Sequence, residues 1–287
     1  MLLPKAIELF HRQMINTDRA PSTIKGYVIE LKLLNRFLTG KYNGPVYLKE
    51  ITLEDLESYL EMLKQKGTAP ASRSRSIYII RAFYNFCCKK SLAEKNISLN
   101  LEAVAVPEKE RAFLTSEEMK TLISEVTSPL ARLILNTLFC TGMRISECLN
   151  LSIKDVDLKR GIITVRHTKN KRDRQIPINK ELLPLLKDYF HNWRRYDTNR
   201  YFFAYGENCK VSADYMNRVL HEATTTLGWD KKVTCHIIRH SFASNLVLQN
   251  INIVSIQKLL GHSNLSTTSI YTHTNMEELL NAVNKIV

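Results

Sequence analysis

Apolar positions in the first hundred residues recur at helical spacing in four stretches. Leu3 to Met14 forms a short one. Ser22 to Leu38 carries Ile24, Val28, Leu31, Leu34 and Leu38 on one side. Thr52 is placed to cap a helix running to about Lys66, with Asp55 in its first turn, where a carboxylate favours the dipole. The fourth spans about Ser72 to Lys90, with Ile77, Ile80, Phe83, Tyr84 and Cys87 on its apolar side. The texture changes at 103–112, AVAVPEKERA, where a proline and mixed charge interrupt all periodicity.

Periodicity resumes after a capping box, Thr115-Ser116-Glu117-Glu118. A helix from Pro129 to Cys140 should stop at Gly142, and another should begin at once, from Met143 to Leu149. Residues 161–178, GIITVRHTKNKRDRQIPI, alternate β-branched runs with a polar, strongly basic turn and predict a hairpin. Further helices are expected at 180–195, 212–227, 234–249 and 253–260, then a short one from Ser266 and a tail helix from Asn275. The expected fold class is therefore mainly α: a four-helix N-terminal domain, then a mostly helical domain with one small β-sheet. The boundaries are 1–104 for the first domain, 105–112 for the linker, 113–274 for the second domain and 275–287 for the tail.

Charge narrows the choice of partner. The chain has 41 Lys and Arg against 28 Asp and Glu, a net +13, which favours a polyanion such as nucleic acid or an acidic membrane surface over a merely basic soluble protein. No apolar run approaches the roughly 20 residues needed to cross a bilayer. The opening MLLPKAIELFHRQ puts charge where a signal peptide needs apolar residues. The six cysteines have no CxxC pair and mostly sit among apolar residues, so free thiols in a reducing cytoplasm are expected rather than disulfides or zinc.

Arg73, Arg75 and Arg81 lie on the fourth helix with serines between them. Both residue types donate hydrogen bonds to phosphate oxygens, which suits DNA binding; the alternative is a solvated basic face. In the second domain, Thr141-Gly142-Met143-Arg144-Ile145-Ser146-Glu147 puts an arginine at a helix start, where a guanidinium adds a bidentate grip on an anion. In His236-Ile237-Ile238-Arg239-His240, His236 and Arg239 share one helix face and could reach one phosphate. His236 and His240 at i, i+4 could instead bind metal, but the acid of an HExxH pattern is missing and no third ligand is evident, so His240 reads better as a buried structural residue. In Leu259-Leu260-Gly261-His262-Ser263-Asn264-Leu265-Ser266-Thr267-Thr268-Ser269-Ile270-Tyr271-Thr272-His273, a turn histidine precedes a tyrosine by nine residues.

TGMRISE, HIIRH and LGHSNLSTTSIYTH, in that order, resemble the active-site boxes of the tyrosine recombinases, the phage integrases and Xer proteins. The resemblance extends over roughly 113–275, and the N-terminal helices with their linker are similar to the family's SAM-like core-binding domain. It implies that Arg144, His236, Arg239 and His262 surround a scissile phosphate and that Tyr271 attacks it, forming a 3′-phosphotyrosyl link. Lys169 in the hairpin turn would be the general acid, with Lys171 the nearby competitor, and Glu147 would support the site. The implied partners are a double-stranded DNA core site, three further copies completing a homotetramer on two DNA sites through exchanged tails, and possible accessory DNA-binding proteins, with no membrane. No metal, ATP or other cofactor is implied. A phosphorane can be stabilised by guanidiniums and imidazoles, and covalent capture conserves the phosphodiester energy.

Two other readings stand beside it. A type IB topoisomerase would share the tyrosine chemistry, and a non-catalytic DNA-binding module would share the fold; the tail and the complete catalytic set count against them. Because the core-binding helices begin within the first residues, an arm-binding N-terminal domain is not expected. The candidate roles are then Xer-like resolution of dimers, transposon cointegrate resolution, or integration and excision of a minimal mobile element.

Overall fold

The computed structural model describes residues 1–107, 112–166, 173–195, 198–207 and 209–261. The chain divides into two compact units, Met1–Lys109 and Glu110–Val287.

The first unit is four helices: α1 (Leu3–Asn16), α2 (Pro21–Tyr42), α3 (Leu53–Gln65) and α4 (Pro70–Lys89). Prolines open α2 and α4, where a missing N–H costs nothing and φ is already helical. Asn43 in the left-handed region ends α2. Thr52 caps α3 as expected, and Asp55 does more than favour the dipole. It returns a bond to the Thr52 N–H at 2.9 Å and accepts from Lys41 Nζ at 2.8 Å and Tyr42 OH at 2.7 Å, tying the end of α2 to the start of α3. Its burial is offset by these donors, which hold its carboxyl below the usual range. Leu3, Phe10, Leu34, Leu56, Tyr59 and Phe83 meet in the shared core.

The second unit comprises α5 (Ser116–Glu125), α6 (Pro129–Thr141), α7 (Ile145–Leu149), β1 (Val156–Asp157), β2 (Ile162–Val165), β3 (Arg174–Pro177), α8 (Leu182–Asp188), α9 (Ala213–Thr226), α10 (Cys235–Leu248) and α11 (Ile253–Leu260). The strands form an antiparallel sheet in the order β1-β2-β3, with Val165 opposite Arg174 at the hairpin end. The mainly helical architecture with one small sheet is the expected one. The sheet gains a two-residue edge strand that alternation over so short a span cannot show.

Two expectations are corrected. The helix expected over 180–195 is α8 followed by a single π-helical turn, Tyr189–Trp193. Asp188 accepts from Asn192 Nδ2 at 2.6 Å and Trp193 Nε1 at 3.1 Å, while the Tyr189 hydroxyl donates to the Phe202 carbonyl at 3.1 Å. These bonds favour the wider turn. The helix expected from Met143 begins only at Ile145, with Arg144 at its N-cap. The core gathers Ile134, Leu138, Met143, Ile163, Phe202 and Ile238, and within it α6 and α10 pack on each other. All six cysteines are free; Cys87, Cys148 and Cys235 are buried and Cys209 is exposed. No helix among the described residues is long and apolar enough to cross a membrane.

Candidate active site

The site is assembled at two left-handed glycines. Ser128 caps α6 and Gly142 (φ +62°) ends it, turning the chain so that Arg144 stands at the head of α7. A Cβ on Gly142 would lie 2.3 Å from Phe242 Cδ1 of α10, so the close packing of these elements requires glycine. Gly261 (φ +68°) ends α11, and there a Cβ would lie 2.9 Å from Arg174 Cδ.

Arg239 joins the two corners. It is 3% exposed, and its Nη1 donates to the Gly142 carbonyl at 2.6 Å while its Nη2 donates to the Leu260 carbonyl at 2.8 Å. Both acceptors are helix-terminal carbonyls, which carry the negative end of the dipole and lack helical partners. Thr234 caps α10, placing an exposed His236 in its first turn and Arg239 one turn further on, at the α6–α7 corner that carries Arg144. His240 is buried.

Glu147 anchors Arg144. Its Oε2 accepts the Arg144 backbone N–H at 2.9 Å, and its Oε1 accepts Arg144 Nη1 at 2.7 Å. Arg174, from the start of β3, grips the same carboxylate: Nη2 to Oε2 at 2.7 Å and Nη1 to Oε1 at 3.2 Å. Its Nε donates to the Leu259 carbonyl at 2.9 Å. Burial alone would raise the Glu147 pKa, but the Arg174 hydrogen bonds, the Arg144 backbone N–H and the nearby guanidinium charge outweigh it, bringing it to about 2. Glu147 is therefore a fixed anion. Its neighbour Arg144 keeps its side chain 38% exposed.

The sequence reading missed Arg174, yet a signal was present. Alternation puts Arg174 on the same side of the strand as buried Ile176 and Ile178, and an arginine on an inward face requires a buried anion or carbonyls. Lys169, Lys171, His262 and Tyr271 lie outside the described residues, as does the tail from 275.

In the first unit the three α4 arginines differ. Arg75 is exposed with its guanidinium over Gly26 of α2, and Arg73 Nε donates to the Thr68 carbonyl at 3.2 Å. Arg81 is used structurally: Nε donates to the Ser98 carbonyl at 3.2 Å and Nη2 to the Leu101 carbonyl at 2.7 Å, fastening the chain after α4.

Residues 112–278 match the phage integrase family. This is the observation that decides the family. The chain is a tyrosine recombinase. Residues 7–91 of the recombinase match the N-terminal SAM-like domain of phage integrases. It is 33% identical to tyrosine recombinase XerA of Pyrococcus furiosus over 99% of this chain and 94% of that one. It is 30% identical to tyrosine recombinase XerC of Bacillus subtilis, covering 93% and 90%. Among solved structures it resembles the Tn1549 transposon integrase in complex with a circular intermediate DNA, with a TM-score of 0.81 at 18% identity, covering 98% of this chain and 99% of that one. It also resembles a lambda integrase tetramer bound to a Holliday junction, with a TM-score of 0.78 at 18% identity, covering 97% and 81%. The recombinase accordingly belongs to the enzymes that act in site-specific DNA recombination by cutting and rejoining DNA.

Proposed function

We propose that this recombinase cleaves one strand of a double-stranded core site through a 3′-phosphotyrosyl intermediate, with Tyr271 as nucleophile. The observation that carries the reading is Arg239 bonded to the Gly142 and Leu260 carbonyls. That bond brings a second guanidinium to the corner bearing Arg144 and fixes the residue two before His262 in sequence. Arg144, Arg239, His236 and His262 then stabilise the charge that develops on the phosphorus oxygens.

The tyrosine O–H releases its proton to solvent water as the new P–O bond forms, and the P–O5′ bond breaks. The leaving oxygen takes a proton from Lys169, with Lys171 as the alternative donor. Rejoining reverses these steps and needs no ATP, because the phosphotyrosyl bond holds the energy of the phosphodiester. Arg73 and Arg75 belong to the phosphate-contacting surface of the N-terminal domain. DNA-bound integrases among the structural relatives, one of them a tetramer, support assembly of a homotetramer on two core sites. Resolution of dimers or cointegrates, and integration or excision of a mobile element, are the roles this assembly would serve, in the cytoplasm and with accessory DNA-binding proteins where directionality is imposed.

Footprinting on the DNA flanking the gene defines the core site, and a nicked duplex of that site then traps the covalent intermediate. Wild-type protein should form an adduct stable to denaturing electrophoresis. Tyr271→Phe should bind the duplex with nearly unchanged affinity and form none. An adduct in the Phe variant means that another tyrosine attacks.

A further inference from the structure

Glu147 lies between two guanidiniums that differ in their surroundings. Arg174 and Glu147 have side chains only 9% and 10% exposed, whereas the Arg144 side chain is 38% exposed. Arg174 donates from all three of its nitrogens, through Nε to the Leu259 carbonyl and through Nη1 and Nη2 to Glu147. Arg144 commits one N–H of its side chain to the same Oε1 and keeps that side chain accessible to solvent. The cluster holds one carboxylate and two cations, so Arg174 alone can neutralise Glu147.

The consequence follows from the cost of an unpaired buried charge. A carboxylate in this position must be compensated. Among the described residues, the counter-ion left to Glu147 without Arg174 is Arg144, which would be drawn inward to satisfy it. The Leu259 carbonyl would also lose its donor at the end of α11, two residues before Gly261.

We propose that Arg174 is a positioning residue for strand cleavage. By satisfying Glu147 it leaves the remaining side-chain N–H groups of Arg144 to the scissile phosphate, and by holding Leu259 it fixes the exit of α11. This rests on the reading of Arg144 as a phosphate ligand.

The test uses the full chain and the nicked core-site duplex in three forms. One has the natural phosphodiester, one a neutral methylphosphonate at the scissile position, and one sulfur replacing the 5′ bridging oxygen. Arg174→Met should bind the duplex normally but cleave the natural form about 10²-fold more slowly, the scale of a small misplacement of a catalytic group. A neutral phosphonate carries less charge for a guanidinium to stabilise, so the deficit should shrink there to about threefold. The sulfur substrate, which relieves only leaving-group protonation, should not restore the rate. Combining Arg174→Met with Glu147→Gln should recover about tenfold, since no buried carboxylate then recruits Arg144.

A wild-type cleavage rate in Arg174→Met overturns the proposal, as does an equal deficit on phosphodiester and phosphonate. If Arg174→Met shows no cooperative thermal transition, Arg174→Lys replaces it, since it keeps the charge but loses the fork. The lysine variant should show the same substrate pattern at about a tenfold deficit, and a uniform deficit overturns the proposal here too. Arg144→Ala separates the two ideas. Normal cleavage by that variant defeats the phosphate reading itself. Phosphonate rescue of Arg144→Ala but not of Arg174→Met defeats the positioning role alone.

Discussion

Arg239 donates to the carbonyl of Gly142 across 2.6 Å, so a charged side chain of α10 caps the C-terminus of α6 at the corner that presents Arg144. The contact depends on Gly142 having no Cβ, because Phe242 of the same α10 lies where that atom would be. Gly142→Ala should therefore cost more than the left-handed backbone alone. Gly67 provides the control, with φ +75° and nothing within 4 Å of a built Cβ. An alanine at Gly67 should cost about 1 kcal/mol for its backbone. At Gly142 the overpacking should raise this to about 3 kcal/mol. Urea denaturation of both variants checks it, and equal losses would mean that Phe242 gives way freely.

Glu147 sets a pH dependence whose sign is fixed. Its folded pKa, about 2, lies below the ordinary 4.5, so the folded state favours the ionised form. The stability it contributes is present above pH 4.5 and is lost as pH falls toward 2. The difference corresponds to roughly 3 kcal/mol. Thermal unfolding of the wild type should weaken across that window more than that of Glu147→Gln. Parallel pH curves for the two proteins would remove Glu147 as the source.

Features coded within one turn of chain were legible in the sequence. Thr115 with Glu118 is a capping box in sequence and in structure, Thr52 caps α3 as expected, and Gly142 ends α6 where it was expected to. The family boxes also implied one site for Arg144 and Arg239, and Arg239 bonds the Gly142 carbonyl two residues before Arg144. What escaped was every choice of distant partner. Arg81 finds carbonyls 17 and 20 residues away, and Arg174 finds one 85 residues away. An arginine six residues along a helix from another looks the same in sequence whether it meets DNA or its own backbone. The π-helical turn escaped for a related reason: its Tyr189 hydroxyl bonds Phe202, 13 residues on, and 3.6-residue periodicity carries no trace of that.

The general acid should be identified by leaving-group chemistry. Lys169→Ala should slow cleavage by about 10² to 10⁴, the usual worth of a positioned proton donor, and Lys171→Ala should do less. Sulfur at the 5′ bridging position needs little protonation and should rescue the Lys169 variant. Rescue of Lys171→Ala in its place would move the role by two residues in the hairpin turn.

The α4 arginines should separate in a salt titration. Phosphate contacts make affinity fall with salt, with a slope of about −0.9 per neutralised phosphate. Arg75→Ala should reduce that slope by about one phosphate's worth. Arg81→Ala should leave the slope alone and instead lower folding stability by about 2 kcal/mol, since it removes two bonds from a cation to backbone carbonyls. A changed slope in the Arg81 variant would return that residue to the DNA surface.

The tail is the remaining test of assembly. Met276, Leu279, Leu280, Val283 and Ile286 repeat at i, i+3, i+4, i+7 and i+10, a narrow apolar stripe on a 13-residue segment that begins four residues after Tyr271. Such a stripe must be covered, either by its own domain or by a neighbouring copy. The family resemblance implies exchange between protomers, and exchange has a mechanical consequence that packing in cis lacks. A neighbour that holds the tail also constrains the nucleophile a few residues earlier, so occupancy of one subunit can decide whether the next one cuts. Truncation after Asn275 should then leave a protein that binds single half-sites with unchanged affinity but loses cooperativity on a two-half-site duplex. Recombination should fail with the lost cooperativity while trapping on the nicked duplex persists. Gel-shift titration measures the cooperativity directly, and a truncated protein that still binds the second half-site more tightly than the first would place the tail in cis.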